Sequence, residues 1–405
     1  MTLSPPKDNS AETRSSPGDA DKRAAGIAVL QVLPALETGG VERGTVDVAA
    51  AIVKAGGRAI VASQGGAMVR EIERAGAAHV TLPLASKNPF TLRANAKRLA
   101  ELIERENIDL VHARSRAPAW SARAAARRTG RVFVTTFHGT YNFKGPFKRA
   151  YNAIMTKGVA VIAISQFIAE HIKQHYRVPA EKITIIPRGV DVDIFDPEKV
   201  PAARMVRLAE EWRLLDGLPV VMLPGRLTRW KGQELFLRAA ARLKDRAFIA
   251  LLVGSDQGRS AYRAELEALT ERLGLQRHVR FADQCRDMPA AFMLADVVVS
   301  ASTDPEAFGR TIVEAQAMGR PVIAPDHGGA RETVREGETG WLFRARDEAS
   351  LADAIGRALA LDADSRKTMA AAAIANVRKN FTRDLMCAET LRLYRRALAL
   401  PPVEP

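Results

Sequence analysis

The stretch AGIAVLQVLPALETGGVERGTVDVAAAIVKAGGRAIVASQ, residues 25–64, predicts a strand, a helix and a second strand in succession. Residues 25–34 and 58–64 are short apolar runs, and the apolar residues of 41–56 between them recur at intervals of three and four. Apolar strands joined by a crossover helix are typical of a parallel sheet that is buried on both faces. The stretch therefore favours an α/β fold.

The same alternation continues along most of the chain. Further strands are predicted at 79–84, 108–114, 132–139, 159–165 and 183–189, and then at 220–226, 247–254, 279–283, 297–303 and 321–325. Residues 190–205, rich in aspartate and proline, interrupt the rhythm, and three helical segments close the chain. We expect two doubly wound, Rossmann-like units that face each other across a cleft.

This organisation predicts the domain boundaries. We expect a disordered tail at 1–25, a first domain at 26–195, a second domain at 196–380 and a final helix at 381–405 that crosses back to the first domain. In doubly wound sheets, ligands bind outside the carboxyl ends of the strands. The cleft is therefore where functional residues are expected.

Composition excludes several classes of protein. The chain has 405 residues, is 47% hydrophobic and 26% charged, and carries a net charge of +14, so it is neither wholly disordered nor fibrous. Two cysteines, Cys285 and Cys387, exclude a disulfide framework and a paired-cysteine zinc site, and favour a reducing compartment. The first 25 residues lack the apolar run of a secretory signal. We expect a cytoplasmic protein. Its positive charge could bind nucleic acid, an anionic membrane surface or phosphorylated small molecules.

The segment GRLTRWKG, residues 225–232, places two cations at a predicted strand-to-helix turn. Arg226 and Lys231 lie five residues apart there, and the helix amino terminus adds its own partial positive charge. Together these groups could bind a diphosphate. Taken alone, such a pair is usually solvated surface charge.

A second segment, PEAFGRTIVEAQAMGRP at 305–321, carries two glutamates eight residues apart. Glu306 is predicted near a strand end, where it could accept hydrogen bonds from sugar hydroxyls, and Glu314 lies inside a helix that begins near Phe308 and Gly309. Glu314 could accept both hydroxyls of a ribose, while Gly309 would let a ligand approach the backbone. The alternative is that Glu314 simply pairs with a nearby arginine.

Turn residues at other strand ends allow both structural and binding roles. Gly39 and Gly40 follow the first strand, where nucleotide-binding folds hold phosphates, but the GxGxxG spacing is absent, which disfavours a dinucleotide cofactor. His138 closes another strand, and a catalytic and a structural role remain equally open for it. Gly328 and Gly329 could serve a turn or a ligand.

Other catalytic patterns are absent or better explained structurally. His171 and His175 lack the intervening glutamate of the HExxH motif, and no GxSxG elbow or Walker loop occurs. Three Asp-x-Asp triplets fall in the tail, the interruption and the closing helices: Asp19/Asp21, Asp191/Asp193 and Asp362/Asp364. We interpret all three as structural and expect no metal site.

Taken together, GGVER, GRLTRWKG and PEAFGRTIVEAQAMGRPVIA resemble the retaining glycosyltransferases of family 4, which adopt the GT-B fold. The resemblance extends from about residue 26 to 399. The stretches DLVHARSRAPAW and VTTFHGTYN resemble bacterial members that build lipopolysaccharide or other envelope polysaccharides.

The resemblance implies a role for each donor-side residue. It assigns Arg226 and Lys231 to the diphosphate of the donor, Glu306 to the transferred sugar and Glu314 to the nucleotide ribose. The amides around Phe308, Gly309 and Arg310 would hold the sugar and phosphate.

For the first domain, the resemblance implies that Gly39 and Gly40 allow closure on the diphosphate and that His138 lies near the reacting carbon. Many members carry asparagine where this chain has Arg188, a departure that touches no catalytic role.

The activity implied is transfer of a sugar, with retention and without a metal or other cofactor, from a nucleotide-diphosphate donor. We expect a UDP-sugar donor held by the second domain, and an envelope glycan or lipid-linked acceptor on the side of the first. Two alternatives remain, a nucleotide-sugar epimerase of the same fold and a non-catalytic nucleotide-sugar-binding protein. Nucleic-acid binding ranks last, because no nucleic-acid module accompanies the charge.

Residues 141–158 form a basic and aromatic segment without an acid. Its cations are Lys144, Lys148, Arg149 and Lys157, and its aromatic residues are Tyr141, Phe143, Phe147 and Tyr151. Such a composition suits an anionic lipid surface, which would place the protein peripherally on the inner face of the inner membrane. It would also suit single-stranded nucleic acid, or a solvated helix that packs its aromatic residues inward.

Overall fold

The computed structural model describes residues 26–141, 145–214, 217–258 and 260–399. Within these ranges the chain forms two parallel sheets of seven and six strands, with helices on both faces of each. The predicted fold class is confirmed. The expected tail, with Asp19 and Asp21, lies outside the described residues.

The first sheet has the strand order β3-β2-β1-β4-β5-β6-β7. Its strands are β1 (Ala28–Val32), β2 (Arg58–Ser63), β3 (Ala78–Thr81), β4 (Leu110–Ala113), β5 (Val132–Phe137), β6 (Ala160–Ala163) and β7 (Ile183–Ile185). The helices that connect them are α1 (Gly40–Lys54), α2 (Val69–Arg74), α3 (Pro89–Arg105), α4 (Arg116–Arg128), α5 (Pro146–Asn152) and α6 (Gln166–Tyr176). The order reverses between β1 and β4, which creates a crevice at their carboxyl ends.

The second sheet repeats this plan in the order β10-β9-β8-β11-β12-β13. Its strands are β8 (Val220–Pro224), β9 (Ile249–Val253), β10 (Val279–Ala282), β11 (Val297–Val299), β12 (Val322–Pro325) and β13 (Gly340–Phe343). The helices around it are α7 (Ala202–Glu211), α8 (Gln233–Ala241), α9 (Ser260–Arg272), α10 (Met288–Leu294), α11 (Arg310–Ala317), α12 (Ala330–Thr333), α13 (Glu348–Leu359) and α14 (Ala363–Asn380). The reversal between β8 and β11 gives the second crevice.

Every predicted strand forms, but β13 is an additional strand that the apolar pattern did not reveal. It is four residues long and begins with a glycine, so it lacks the long apolar run of the others. Gly340 passes so close to β12 that a side-chain carbon there would lie 2.1 Å from the carbonyl oxygen of Val322. Gly340 therefore interrupts the apolar pattern by which the strand could have been predicted, and its lack of a side chain is also what lets the strand pair with β12.

The interruption expected at 190–205 is shorter in the structure, because α7 begins at Ala202. The chain crosses between the two units twice, at Val190 and at Thr382. The two crossings bond to each other, since the amide of Val190 donates to Phe381 (2.8 Å) and the amide of Arg383 donates to Val190 (2.8 Å). The two crossings therefore form a paired, strand-like contact.

The last helix, α15 (Arg383–Leu398), packs against α1 of the first unit. Its Tyr394 is fully buried, and the hydroxyl lies 2.6 Å from Nδ1 of His112 on β4. Nε2 of His112 lies 2.7 Å from the hydroxyl of Thr136 on β5, so the imidazole bridges helix and sheet. Burial holds the pKa of His112 well below its usual value, which fits a neutral structural histidine.

The two units also contact each other around Ser165 and Ala307. The hydroxyl of Ser165 donates to the carbonyl of Ala307 (2.5 Å), and the carboxylate of Glu332 accepts from the amides of Gln166 and Phe167 (2.7 Å each). A carboxylate at the amino terminus of α6 satisfies amides that would otherwise have no partner within that helix. The two units are therefore joined at this contact as well as at the paired crossings.

Among the residues that the structure describes, no helix is both long enough and apolar enough to cross a bilayer.

Candidate active site

Lys231 is positioned by a tight turn at the carboxyl end of β8. The chain passes from Gly225 through a single 3-10 turn, Arg229–Lys231, to Gly232, whose φ of 73° lies in the left-handed region. A side-chain carbon at Gly232 would lie 1.9 Å from the carbonyl oxygen of Ala301, so only glycine fits there. The turn directs Lys231 inward, and its Nζ lies 2.7 Å from Oε1 of Glu306.

Glu306 follows β11 and forms the opposite wall of this pocket. Besides Lys231, its Oε1 accepts from the hydroxyls of Ser302 (2.5 Å) and Ser300 (3.4 Å). Burial raises the pKa of Glu306, but Lys231 and the serine hydroxyls more than offset it, so the pKa falls below its usual value. Glu306 is therefore a carboxylate at neutral pH, beside an ammonium group.

Unlike Lys231, Arg226 does not line this pocket. Its side chain is exposed, and it forms no hydrogen bond or ion pair with the described residues. Its carbonyl accepts from the side chain of Gln233 (2.9 Å), which fixes the turn rather than the guanidinium. The structure thus brings Lys231 to Glu306 but does not bring Arg226 into the lining of this pocket.

The amino terminus of α11 forms the floor of the pocket. Gly309 has a φ of 86° and precedes the helix that begins at Arg310, while Phe308 is buried against Phe381, with ring centroids 5.6 Å apart. Pocket-lining residues from this segment include Gly309 and Thr311, together with Lys231 and Glu306. The first amides of α11 have no partner within the helix, which makes this end suitable for an anion.

Gly328 and Gly329 support this floor from below. Side-chain carbons at these positions would lie 2.5 Å from the carbonyl oxygen of Glu306 and 2.6 Å from Cα of Phe308, respectively. The amide of Gly329 donates to the carbonyl of Glu306 (2.8 Å). Close packing under the loop therefore accounts for the pair. The half-buried imidazole of neighbouring His327 has no partner among the described residues for either ring nitrogen, a polar group that sequence reasoning missed.

Glu314 lies one turn into α11 and forms an ion pair with Arg310, whose Nε is 2.7 Å from Oε1. This is the pairing that the alternative interpretation of the sequence described. Burial raises the pKa of Glu314 above its usual value, and Arg310 opposes that shift only in part. The side chain keeps 12% of its surface exposed.

The first unit contributes a glycine turn to the opposite side of the cleft. Gly39 caps α1, and the carboxylate of Glu42 folds back over it, 2.4 Å from where a side-chain carbon would lie. At Gly40 nothing lies within 4 Å of that position. Gly40 therefore borders open space at the amino terminus of α1.

His138 follows β5 and contacts Arg188, a residue for which sequence reasoning expected no role. Nη2 of Arg188 lies 2.6 Å from Nδ1 of His138. Because a guanidinium can only donate, Nδ1 must be the acceptor and Nε2 must carry the proton. That Nε2 is buried and has no partner among the described residues. Burial, with Arg188 close by, holds the pKa of His138 well below its usual value, so the ring is neutral.

Arg114, directly after β4, is the second buried cation that sequence reasoning missed. It is 2% exposed, and its Nε donates to Oε1 of Gln31 on β1 (2.7 Å). Its Nη2 is buried with no partner among the described residues. The available signal was its position, an arginine at the carboxyl end of a buried strand beside the point where the sheet order reverses.

Two of the remaining sequence motifs have structural roles. Asp191 accepts from the amide of Asp193 (3.0 Å) and forms an ion pair with Arg383, while Asp362 caps α14. Within the described ranges, no cluster of three or more histidine, cysteine, aspartate or glutamate side chains could hold a metal ion.

Comparison with known proteins gives matches in both halves of the chain. Residues 38–194 match the model for Glycosyltransferase Family 4, and residues 207–376 match that for Glycosyl transferases group 1. Among curated relatives, a D-inositol 3-phosphate glycosyltransferase of Nocardia farcinica is 33% identical over 230 residues, 55% of this chain and 49% of the relative. The chain thus spans about half the length of the first such relatives.

A GDP-mannose-dependent alpha-(1-6)-phosphatidylinositol monomannoside mannosyltransferase of Mycolicibacterium smegmatis is 31% identical over 277 residues, 65% of this chain and 71% of the relative. Among solved structures, a glycosyltransferase from Rickettsia africae has 38% identity and a TM-score of 0.86 over 92% of this chain and 99% of its own. The Anabaena protein HepE in complex with UDP has 25% identity and a TM-score of 0.80 over 91% and 100%. The chain therefore belongs to the family 4 (group 1) glycosyltransferases and has the GT-B fold.

Proposed function

We propose that this protein is a retaining glycosyltransferase that moves a sugar from a UDP-sugar to an envelope glycan or lipid-linked acceptor. The observation that carries the proposal is the contact between Lys231 and Glu306 above the amino terminus of α11. An ammonium group, a carboxylate and free helix amides meet there, as a sugar diphosphate requires. The UDP complex of the structurally similar HepE supports the choice of nucleotide.

The chemistry follows from where negative charge develops. Breaking the bond between sugar and phosphate leaves that charge on the nucleotide diphosphate. Lys231, Arg226 and the amides of α11 would stabilise it electrostatically. These groups can perform that task without a metal, and we propose a metal-independent reaction with no further cofactor.

Glu306 and Glu314 would hold the two ends of the donor. The ionised Glu306 would accept hydrogen bonds from hydroxyls of the transferred sugar, and Glu314 would accept those of the ribose. Ribose binding requires Arg310 to share or release the carboxylate of Glu314. We propose retention of configuration, with a donor phosphate oxygen taking the acceptor proton, and we assign no protein group as general base.

The first domain would receive the acceptor, with Gly39 and Gly40 closing over the diphosphate. His138 would face the reacting carbon through its Nε2–H. Because its pKa is held well below the usual value, His138 would act as a hydrogen-bond donor rather than as a cation.

A basic and aromatic edge of the first domain supports a lipid-linked acceptor. Residues 142–144 of the segment identified in the sequence lie outside the described residues, and the rest of it forms α5 and a 3-10 turn. Tyr141 packs inward against Phe137, whereas Phe147 is 90% exposed. Phe90 at the start of α3 is 85% exposed.

These exposed rings belong to one continuous edge. Trp120 on α4 stacks on Tyr151 of α5, with centroids 6.1 Å apart, and the neighbouring Ser121 bonds to Leu92 of α3 (2.8 Å). Exposed cations that accompany the rings are Lys87, Arg93, Lys148 and Arg149. Aromatic residues among cations suit the surface of an anionic bilayer. We propose that this edge docks the protein peripherally on the inner membrane.

A donor screen followed by a transfer assay tests the function. Thermal shift against UDP-, GDP- and ADP-sugars should give the largest stabilisation with a UDP-sugar, because ligand that binds only the folded state raises the melting temperature. Free UDP should then appear when a membrane glycolipid extract is added. A conversion of the donor sugar without UDP release would indicate an epimerase, and binding without turnover would indicate a binding protein.

A further inference from the structure

A cavity of about 550 Å³ lies between α1, the first crossing at 189–195 and the start of α15. Its volume is within the range of small-molecule sites, roughly 300–1,000 Å³. It shares no lining residue with the pocket of Lys231 and Glu306, and Arg310 is where the second unit reaches it. The cavity is therefore a candidate site for a ligand other than the donor.

Part of the cavity wall is apolar. Val46, Ala50 and Ala51 lie on the face of α1 that lines it, and Ile194 and Phe195 belong to the crossing. Ile194 is 58% exposed, so the core of the protein does not account for it. The C–H groups on one face of a sugar ring gain from contact with apolar and aromatic side chains, and this wall offers both.

Most charged residues of the cavity are paired with one another. Arg43 donates to both carboxylate oxygens of Glu71 (2.6 and 3.2 Å), and Arg383 forms an ion pair with Asp191. Basic and acidic side chains occur in equal numbers in the lining. The cavity therefore has no formal excess charge that would favour an anionic or a cationic ligand.

Asp47 is the exception among the lining carboxylates. It is half-buried, and it forms no ion pair or hydrogen bond with the residues described. Burial raises its pKa, and Arg43, Arg310 and Arg383 oppose that shift only in part. A carboxylate that is partly buried without a hydrogen-bond donor is unfavourable. Because an ionised carboxylate only accepts hydrogen bonds, the missing partner is a donor such as a hydroxyl group.

We propose that this cavity binds a neutral saccharide unit, whose hydroxyl groups donate to Asp47 and whose ring packs on Ala50 and Phe195. A sugar hydroxyl both donates and accepts, so neighbouring hydroxyls can also accept from N–H groups of Arg43 and Arg383 outside their ion pairs. An anionic ligand would be repelled by Asp47, and a cationic one by the arginines around it. The inference goes beyond the proposed function, since it gives the protein a sugar site apart from the donor pocket.

The test uses methyl glycosides of glucose, galactose, mannose and N-acetylglucosamine, with the full chain saturated with UDP. Saturation-transfer NMR titrations, which detect weak affinities, should show that at least one glycoside binds the wild type. Asp47→Asn should weaken that binding by about tenfold, as expected for losing a charged hydrogen-bond partner. Ala50→Phe, which fills the cavity, should abolish it. Asp245→Asn, which changes an exposed aspartate of the second domain, should leave it unchanged.

Three results would overturn the site. They are the absence of binding by every glycoside, equal binding by wild type and Asp47→Asn, and binding that is lost in Glu306→Gln but kept in Asp47→Asn, which would assign the sugar to the donor pocket. Since Asp47 has no partner to lose, Asp47→Asn should fold with an unchanged or higher melting temperature, and it decides the matter alone if Ala50→Phe does not fold. Failure of the wild type to bind UDP would count against the proposed function instead.

A transfer assay with the membrane glycolipid extract then identifies the source of the saccharide. A glycoside that inhibits transfer by the wild type but not by Asp47→Asn stands in for a unit of the acceptor. A glycoside that binds at Asp47 without inhibiting transfer stands in for a separate sugar ligand. Inhibition of equal strength in both proteins would show that the glycoside acts outside this cavity and would contradict the proposal.

Discussion

Lys231 and Glu306 form the most informative contact at the level of single residues. The two charges are 2.7 Å apart, and their side chains keep 15% and 20% of their surfaces exposed. A fully exposed ion pair would contribute little to the free energy of unfolding. Lys231 and Glu306, however, both line a pocket, where they can also contact a ligand. Their geometry explains how an ammonium group can be held ready for a leaving diphosphate.

Replacing Lys231 tests this assignment. Lys231→Ala should reduce turnover at saturating donor by about 10²–10³, the usual effect of removing one preorganised group from a developing anion. Steady-state kinetics would measure it, with Lys244→Ala, an exposed lysine of the same domain, as the matched control. Turnover within threefold of wild type in Lys231→Ala would contradict the role.

Glu314 should give donor binding a pH dependence. Burial raises its pKa, so acidification protonates it at a higher pH than an ordinary glutamate, and a protonated carboxyl loses the charge that favours ribose hydroxyls. The affinity for UDP-glucose should therefore fall as the pH is lowered from 7 towards 5. In Glu314→Gln, binding should be weaker at pH 7 and flat over the same interval. A titration series at several pH values checks this, and parallel profiles for the two proteins would be incompatible with it.

At the level of elements, α1 contains a glycine where a helix would ordinarily gain from alanine. Gly44 lies inside the helix and is buried, with Arg188 in the space of its missing side chain. Glycine within a helix costs about 0.5–1 kcal/mol relative to alanine. Any larger residue at position 44 would clash with Arg188, which explains why glycine is present despite this cost.

A double-mutant cycle tests whether Gly44 and Arg188 act together. Gly44→Ala alone should push Arg188 away from His138, lower turnover and give no gain in the free energy of unfolding. In an Arg188→Asn background the same change should stabilise the protein by about 0.5–1 kcal/mol, because the clash is gone. Chemical denaturation of the four proteins measures the coupling. Effects that simply add would show that the two residues are independent.

The sequence allowed most elements to be predicted because their signals are local. The apolar runs identify the strands of both sheets, and the spacing in 225–232 and 305–321 identifies Lys231 and Glu306. Arg188 and Arg114 could not be predicted in the same way, since their partners are 50 and 83 residues away along the chain. Only the assembled sheet shows that these arginines are buried without a carboxylate.

At the level of the whole molecule, the two units are joined at the paired crossings and at a second contact around Ser165 and Ala307. The crossings at Val190 and Thr382 pair with each other, while Glu332 bonds to the amino terminus of α6. The contact around Ser165 also includes apolar packing, since Phe308 and Val313 belong to the same buried cluster as Ile164 and Ile168. Because only the crossings are covalently continuous, they are where a hinge for opening the cleft should lie.

The basic and aromatic edge should bind anionic membranes. Sedimentation with liposomes containing anionic lipid should recover the wild type, and purely zwitterionic liposomes should not, because both charge and aromatic insertion contribute. The double variant Phe90→Ser and Phe147→Ser should bind more weakly by severalfold. Val206→Ser, which removes an exposed apolar residue of the second domain, is the control. Equal recovery with both lipid compositions would exclude this docking mode.

The pocket lined by Lys231, Glu306 and Gly309 is where we expect the diphosphate to bind, with the ribose at Glu314, and a crystal structure with bound UDP would decide the matter. The ribose hydroxyls should lie within hydrogen-bonding distance of the Glu314 carboxylate, with Arg310 shifted from its present contact. The diphosphate should lie at the amides of α11, contacted by both Lys231 and Arg226. UDP bound elsewhere, with the Arg310–Glu314 pair intact and both cations remote from the phosphates, would contradict this assignment.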